Sequence, residues 1–281
     1  MERREFVKSA MAVGAGAGLG MEEQATAQAS VGAGGGNPTS QNRDAGHPEY
    51  YQLRTYTLRT GPQTALCQGY FERALIPALN RLSMGPVGAF KLDVGPETPT
   101  YYVLIPSMDV EALVGLDARL GADAEYVKAA GGFRDAPANA PAFVRSERTL
   151  LGAFAGWPKL AAPKAVDGEL PKRILQLRTY ESASQTAHVR KMQMFNEAEI
   201  AIFTRVGLAP VFFGDTQVGT RMPSLTYMLT FASLAELTER WAAFSADAAW
   251  KELSHRPGNA DAEIVNNISN LYLSPLDCSQ V

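Results

Sequence analysis

Two arginine and tyrosine pairs carry the most chemistry in this chain. Arg54 and Tyr56 lie in Gln52-Leu53-Arg54-Thr55-Tyr56, and Arg178 and Tyr180 lie in the identical Gln176-Leu177-Arg178-Thr179-Tyr180, so that 52 and 176 are 124 residues apart. Alternation along a strand puts each arginine on the same side as its tyrosine. An arginine there could bind a carboxylate or enolate, and a tyrosine could orient a carbonyl. Gln52, Gln176, Asn266 and Asn270 are the partners such a buried polar set would need. Two readings fit the set: a ligand site using Arg54, Tyr56, Arg178, Tyr180 and Asn270, or a satisfied network that fixes how two sheets meet.

His188 is the one candidate for moving a proton near neutral pH, because it lies one helical turn before Met192 on a stripe that continues to Phe195 and Ile202. A boundary residue at the end of a packed helix is its plainer role, whereas a catalytic role would bring it to the rim of the Arg178 and Tyr180 face. The first repeat has Thr64 at the matching position, so a histidine-dependent site would exist once per chain, in the second repeat. Glu199, further along, reads as the partner of a neighbouring arginine or as a pocket acid. The chain holds three histidines and two cysteines, too few for a multi-histidine or thiolate metal site, and it has no phosphate-loop or nucleophile-elbow pattern. Phe212, Phe213, Trp241, Phe244 and Trp250 read as core.

The elements that position these residues occur twice. In the first copy a strand over 50–58 precedes a helix over 62–82, which Pro77 should kink or break. A hairpin follows, with strands 86–94 and 100–105, then a helix capped by Asp109 and running to Tyr126, then a strand over 142–151. The second copy gives strands near 173–181, 209–218, 225–232 and 263–273, with helices over 186–206 and after Ser233. Past one inserted residue, Tyr102 aligns with Tyr227. The order strand, helix, strand, strand, helix, strand predicts an α+β chain of two tandem ferredoxin-like (βαββαβ) domains. Each sheet has helices on one face only, so the two should cover each other as a barrel within one chain, with a partly polar interior. The expected layout is domains over 50–151 and 173–275, a linker over 152–172 and a tail over 276–281.

The strand endings Arg-Thr-Tyr, the segment Pro210-Val211-Phe212-Phe213-Gly214-Asp215 and the stretch from Trp241 to Trp250 resemble the NIPSNAP family of dimeric α+β barrels. The likeness covers nearly all of 50–275, and the exported bacterial tandem members are the most similar. It implies the barrel fold more strongly than any activity, because related barrels include cofactor-independent monooxygenases, haem-dependent enzymes and proteins with no assigned reaction. No cofactor is indicated by the residues themselves, and haem is left open. The function expected is binding of a small, largely apolar molecule in or beside the barrel, with cofactor-independent chemistry as an extension. The alternative is an interaction or assembly protein on the same fold, and homo-oligomerisation is left open.

The first residues follow a different logic. Arg3-Arg4-Glu5-Phe6-Val7-Lys8, the weakly apolar run to Met21 and the small residues ending at Ala27 or Ala29 read as a twin-arginine signal peptide over 1–29, hence export to the periplasm or beyond. Residues 30–49 read as a flexible tether. A net charge of -3 without basic clusters gives no footprint for nucleic acid, and no stretch suits a stable membrane span. Spacing does not decide whether Cys67 and Cys278 pair.

Overall fold

The computed structural model describes residues 48–163 and 172–281; the expected signal peptide, most of the tether and the middle of the linker lie outside them. Strand β1, Tyr50–Thr57, alternates apolar and polar residues and ends before Gly61, whose φ of 88° only glycine adopts without strain. Pro62 then opens α1, Pro62–Tyr70, at the first-turn position where its missing N–H costs nothing. The helix does not break at Pro77. It passes through a π-turn, Phe71–Leu75, and continues as α2, Ile76–Arg81. Strands β2, Gly88–Val94, and β3, Thr100–Ser107, form the hairpin.

The single helix expected after Asp109 is three: α3, Val110–Val114, α4, Leu116–Gly121, and α5, Ala124–Arg134. Gly115 separates the first two, and Asp123 caps the third through Glu125 and Tyr126 N–H groups. Strand β4, Arg145–Ala153, runs past residue 151, so the expected linker begins inside a strand. The second copy supplies β5, Ile174–Ser182, α6, Gln185–Met194, a π-turn at Phe195–Glu199 and α7, Ile200–Arg205. Strands β6, Ala209–Val218, and β7, Ser224–Phe231, precede α8, Leu234–Ala246, α9, Ala248–Ser254, α10, Asp261–Ile264, and β8, Val265–Pro275.

All eight strands close into one antiparallel barrel in the order β1-β3-β2-β8-β5-β7-β6-β4. Each copy contributes four adjacent strands, and the seams are β2 against β8 and β4 against β6. Close approach at the second seam requires Gly214, where a Cβ would meet Leu151 at 2.8 Å. Closure leaves no sheet edge.

The barrel has two chemically distinct sides, and the arginine and tyrosine face is the outer one, not the inner one expected. Leu53, Leu177, Leu175, Phe212, Met228 and Leu273 form the buried lumen cluster, while Thr55, Thr179, Thr216 and Thr226 line its open end, so the interior is partly polar. Gln52, Arg54 and Tyr56 point outward, under the helices of their own copy, with 7%, 2% and 3% exposure. The physical reason is that burying Leu53 and Leu177 in a closed lumen needs no polar partners, whereas backbone carbonyls and helix carboxylates outside can satisfy an arginine.

From β1 to the capping Asp123 and Asp247 the copies correspond residue by residue at one constant spacing, and only β4 and β8 are offset from it, by two residues. Arg54 pairs across the sheet with Val103, and Arg178 with Tyr227, so Val103 is the counterpart of Tyr227 and no insertion intervenes; Tyr102 instead faces the lumen. Arg81 binds the capping Asp123 at 2.6 Å, and Arg205 binds the capping Asp247 at 2.7 Å. The π-turns also coincide, and the second copy has Ala201 where the first has Pro77, so proline is not their cause. Residues beyond Pro275 are held along the segment leading into β2: Leu276 N–H donates to Ala89 O, Gln280 N–H donates to Val87 O, and Val281 is buried in the lumen cluster.

Candidate functional site

In the first copy, β1, β4 and the overlying helices border an open cavity of about 320 Å³. Its floor is Arg54, Tyr56, Ser146 and Arg148, its walls include Tyr70, Tyr126 and Asp117, and Phe133 and Phe143 close the apolar side. Arg54 is aimed by its neighbours: its Nε donates to Gln52 Oε1 at 2.6 Å and its Nη2 to Asp117 Oδ1 at 3.1 Å. Gln52 is itself fixed by donating to Leu113 O at 2.8 Å. Arg148 lies opposite Arg54 on β4 and binds the other Asp117 oxygen at 2.6 Å. Burial opposes the Arg54 charge, but Tyr56 and Asp117 outweigh it, so the guanidinium is held above its ordinary pKa.

The Tyr70 and Tyr126 hydroxyls bond each other, one donating and one accepting, which leaves one proton of the pair to donate elsewhere. They lie 2.9 Å apart, and the Tyr70 ring stacks on Phe133 with centroids 4.0 Å apart. Burial, reinforced by Tyr56 and Tyr126, pushes the Tyr70 hydroxyl well above its usual range, and burial also raises Tyr56 against the pull of Arg54. Both stay protonated in neutral water. With Arg54, Arg134 and Arg148 against Asp117, the cavity carries a surplus of positive charge beside a flat aromatic wall. Such a space suits a small molecule with a planar apolar body and an acidic or carbonyl group.

The second copy has the same frame with the space filled. Arg178 donates to Tyr180 Oη at 3.1 Å and to Asn270 Oδ1 at 3.1 Å. At the constant spacing, Asp117 corresponds to Trp241, whose ring lies 4.7 Å from the Arg178 guanidinium carbon and whose Nε1 donates to Gln176 Oε1 at 2.8 Å. Trp241 is therefore a half-buried lid over the arginine, not the core residue expected. Tyr126 is replaced by Trp250 and Cys67 by Lys191. The Lys191 ammonium is fully buried, facing the Tyr180, Phe195 and Trp250 rings at 5.1, 5.4 and 5.5 Å. Glu199 pairs with this lysine at 3.5 Å, not with an arginine.

His188 does not join the Arg178 face. It is 4% exposed, its Nε2 lies 2.7 Å from Asp215 Oδ1, and its Nδ1 lies 3.4 Å from Ser182 Oγ. These contacts tie α6 to β5 and β6, which explains burial where a boundary position was expected. A further cavity of about 750 Å³ opens at the lumen end beyond Leu177 and includes Asn270 in its wall. Threonines and rim ion pairs such as Arg145 with Glu97, at 2.6 Å, make it polar. Among the described residues no group of three or more His, Cys, Asp and Glu could hold a metal ion, and no helix is long and apolar enough to cross a membrane. Cys67 and Cys278 are free thiols.

Arg148, Asp117, Tyr70 and Tyr126 were not visible as site residues in the sequence. The usable signal was register, since pairing β1 with β4 puts Arg148 beside Arg54, just as pairing β5 with β8 puts Asn270 beside Arg178.

A family profile described as NIPSNAP matches residues 175–280. No curated protein sequence matches the chain. A crystal structure of a provisionally assigned monooxygenase from Lactobacillus acidophilus NCFM is similar at 9% identity over 82% of this chain and 94% of that one, with a TM-score of 0.54, a likeness of fold alone. A NIPSNAP family protein from Agrobacterium tumefaciens str. C58 shares 21% identity over 39% of this chain and 98% of its own, with a TM-score of 0.35. An uncharacterised NIPSNAP-like domain protein from Burkholderia xenovorans shares 21% over 37% and 85%, with a TM-score of 0.33.

Proposed function

With residues 175–280 belonging to the NIPSNAP family, we propose that the whole chain is a tandem NIPSNAP-like protein of two ferredoxin-like units that binds a small, largely apolar molecule beside the barrel, in the first-copy cavity. The observation that carries this is the contrast between equivalent positions. Where Trp241 and Trp250 stand in the second copy, Asp117 and Tyr126 leave about 320 Å³ against a buried arginine. A site kept only for structure would gain stability from filling, as its twin does, because an unfilled cavity forfeits dispersion contacts. Arg54 and Arg148 would hold an acidic or carbonyl group, the Tyr70 and Tyr126 pair would donate one hydrogen bond, and Phe133 and Phe143 would pack on the apolar body.

Native mass spectrometry of protein purified from its own host tests the reading. A retained small molecule that is lost on Arg148→Gln, with the melting temperature unchanged, is the expected result. Bare protein under gentle ionisation, unresponsive to small aromatic acids, would turn the reading toward an assembly role. Export belongs to the same proposal, and its sign is a mature protein lacking the chain through Ala27 or Ala29. An uncleaved protein indifferent to Arg3→Lys and Arg4→Lys would refute it.

A further inference from the structure

We infer that the ligand of the first-copy cavity is a carboxylate, and that Asp117 is its internal stand-in, which the incoming carboxylate displaces. This rests on the binding reading above and adds to it the ligand's charge and the way the site opens.

Asp117 bridges two guanidinium groups, with one oxygen 3.1 Å from Arg54 Nη2 and the other 2.6 Å from Arg148 Nη2. A single carboxylate spanning two arginines is the contact that an acidic ligand would make. The two sides of the contact differ in how firmly they are held. Arg54 is 2% exposed and pinned by Gln52, whereas the Asp117 side chain is 53% exposed and begins the short helix that follows the break at Gly115. The arginine is fixed and the aspartate can turn into water. In the second copy the equivalent Trp241 sits on an unbroken helix and covers Arg178 with an indole, which no anion displaces by charge. There the flanking strand position is the neutral Asn270 where the first copy has Arg148. The two changes, from tryptophan and asparagine to aspartate and arginine, replace an indole stacked on the arginine by a carboxylate shared between two arginines.

Half-exposed pairs of this kind are weak, so removing the competing carboxylate should tighten binding of an anionic probe roughly threefold to tenfold. The test is calorimetric titration of the full chain with benzoate and with neutral benzamide, for wild type, Asp117→Ala and Arg148→Gln, each with a thermal melt. The inference expects wild type to prefer benzoate, Asp117→Ala to bind benzoate more tightly with benzamide unchanged, and Arg148→Gln to weaken benzoate alone. If wild type binds the probes but Asp117→Ala leaves benzoate unchanged or weaker, or if benzamide binds as well as benzoate, the displacement idea fails and the binding reading stands. If neither probe binds folded wild type or folded Asp117→Ala, both fail together.

Discussion

Replacing Glu199 with glutamine should flatten the pH dependence of stability between pH 5 and pH 8. Glu199 is 1% exposed, and its Oε2 has no hydrogen-bond partner, although the Lys191 ammonium lies 3.5 Å away. Burial pushes its carboxyl up to about 7, with Lys191 pulling it down and Asp261 pushing it further up. A group raised in the folded state keeps its proton there over a range in which the unfolded chain has already released it. Its favourable contribution is therefore complete below the unfolded value near 4.5 and is lost as pH rises through about 7. The loss is of order ~3 kcal/mol. Lys191 is also raised, by Glu199, Tyr180 and Asp261 against the effect of burial, so its contribution persists through this window and is lost only in strong alkali.

Urea unfolding of wild type and Glu199→Gln at pH 5, 6, 7 and 8 isolates the effect, because titrations common to both proteins cancel in the difference. The two should agree within about 1 kcal/mol at pH 5, and the variant should be the more stable by ~3 kcal/mol at pH 8. Parallel profiles, or a variant that falls behind wild type at pH 8, would show that attraction to Lys191 outweighs desolvation and would refute the reasoning.

Trp241→Ala should cost about 2 to 3 kcal/mol in urea unfolding, less than the 3 to 5 expected for Phe203→Ala, because Trp241 is half-buried while Phe203 is fully enclosed; equal costs would make Trp241 core after all. Asp123→Ala and Asp247→Ala should each lose about 1 to 2 kcal/mol, and the same amount within error, since each caps a helix through two N–H groups and binds one arginine. Unequal losses in denaturant titrations would mean that the two caps are not equivalent.

The repeat of Gln-Leu-Arg-Thr-Tyr was enough to read the element order, because strand alternation and helical stripes survive in both copies. Asp109, Ser233 and the hairpin turns fall where the sequence placed them. Which face of β1 turns inward was not legible. Alternation separates Leu53 from Arg54 but does not say which side the barrel encloses, and the answer came from closure, which puts Leu53 and Leu177 inside. Pro77 misled because a π-turn already displaces the helix at that point in both copies. The site was harder still. Arg148 and Asp117 reach Arg54 from 94 and 63 residues away, and no local pattern predicts that meeting. Lys191 was passed over because a lysine on a helix is usually solvated, and only the ring of Tyr180, Phe195 and Trp250 shows why this one is buried.

Filling the first-copy cavity tests the central claim most directly. Gly121 lines it, ends α4, and has nothing within 4 Å of where a Cβ would stand, so Gly121→Phe adds a ring beside the cavity with room for its Cβ. Native mass spectrometry of wild type and variant, isolated identically from the native host, should show a bound small molecule on the wild type and none on a variant that melts at the same or a higher temperature. A variant that folds and keeps the wild-type ligand would place binding elsewhere and contradict the account.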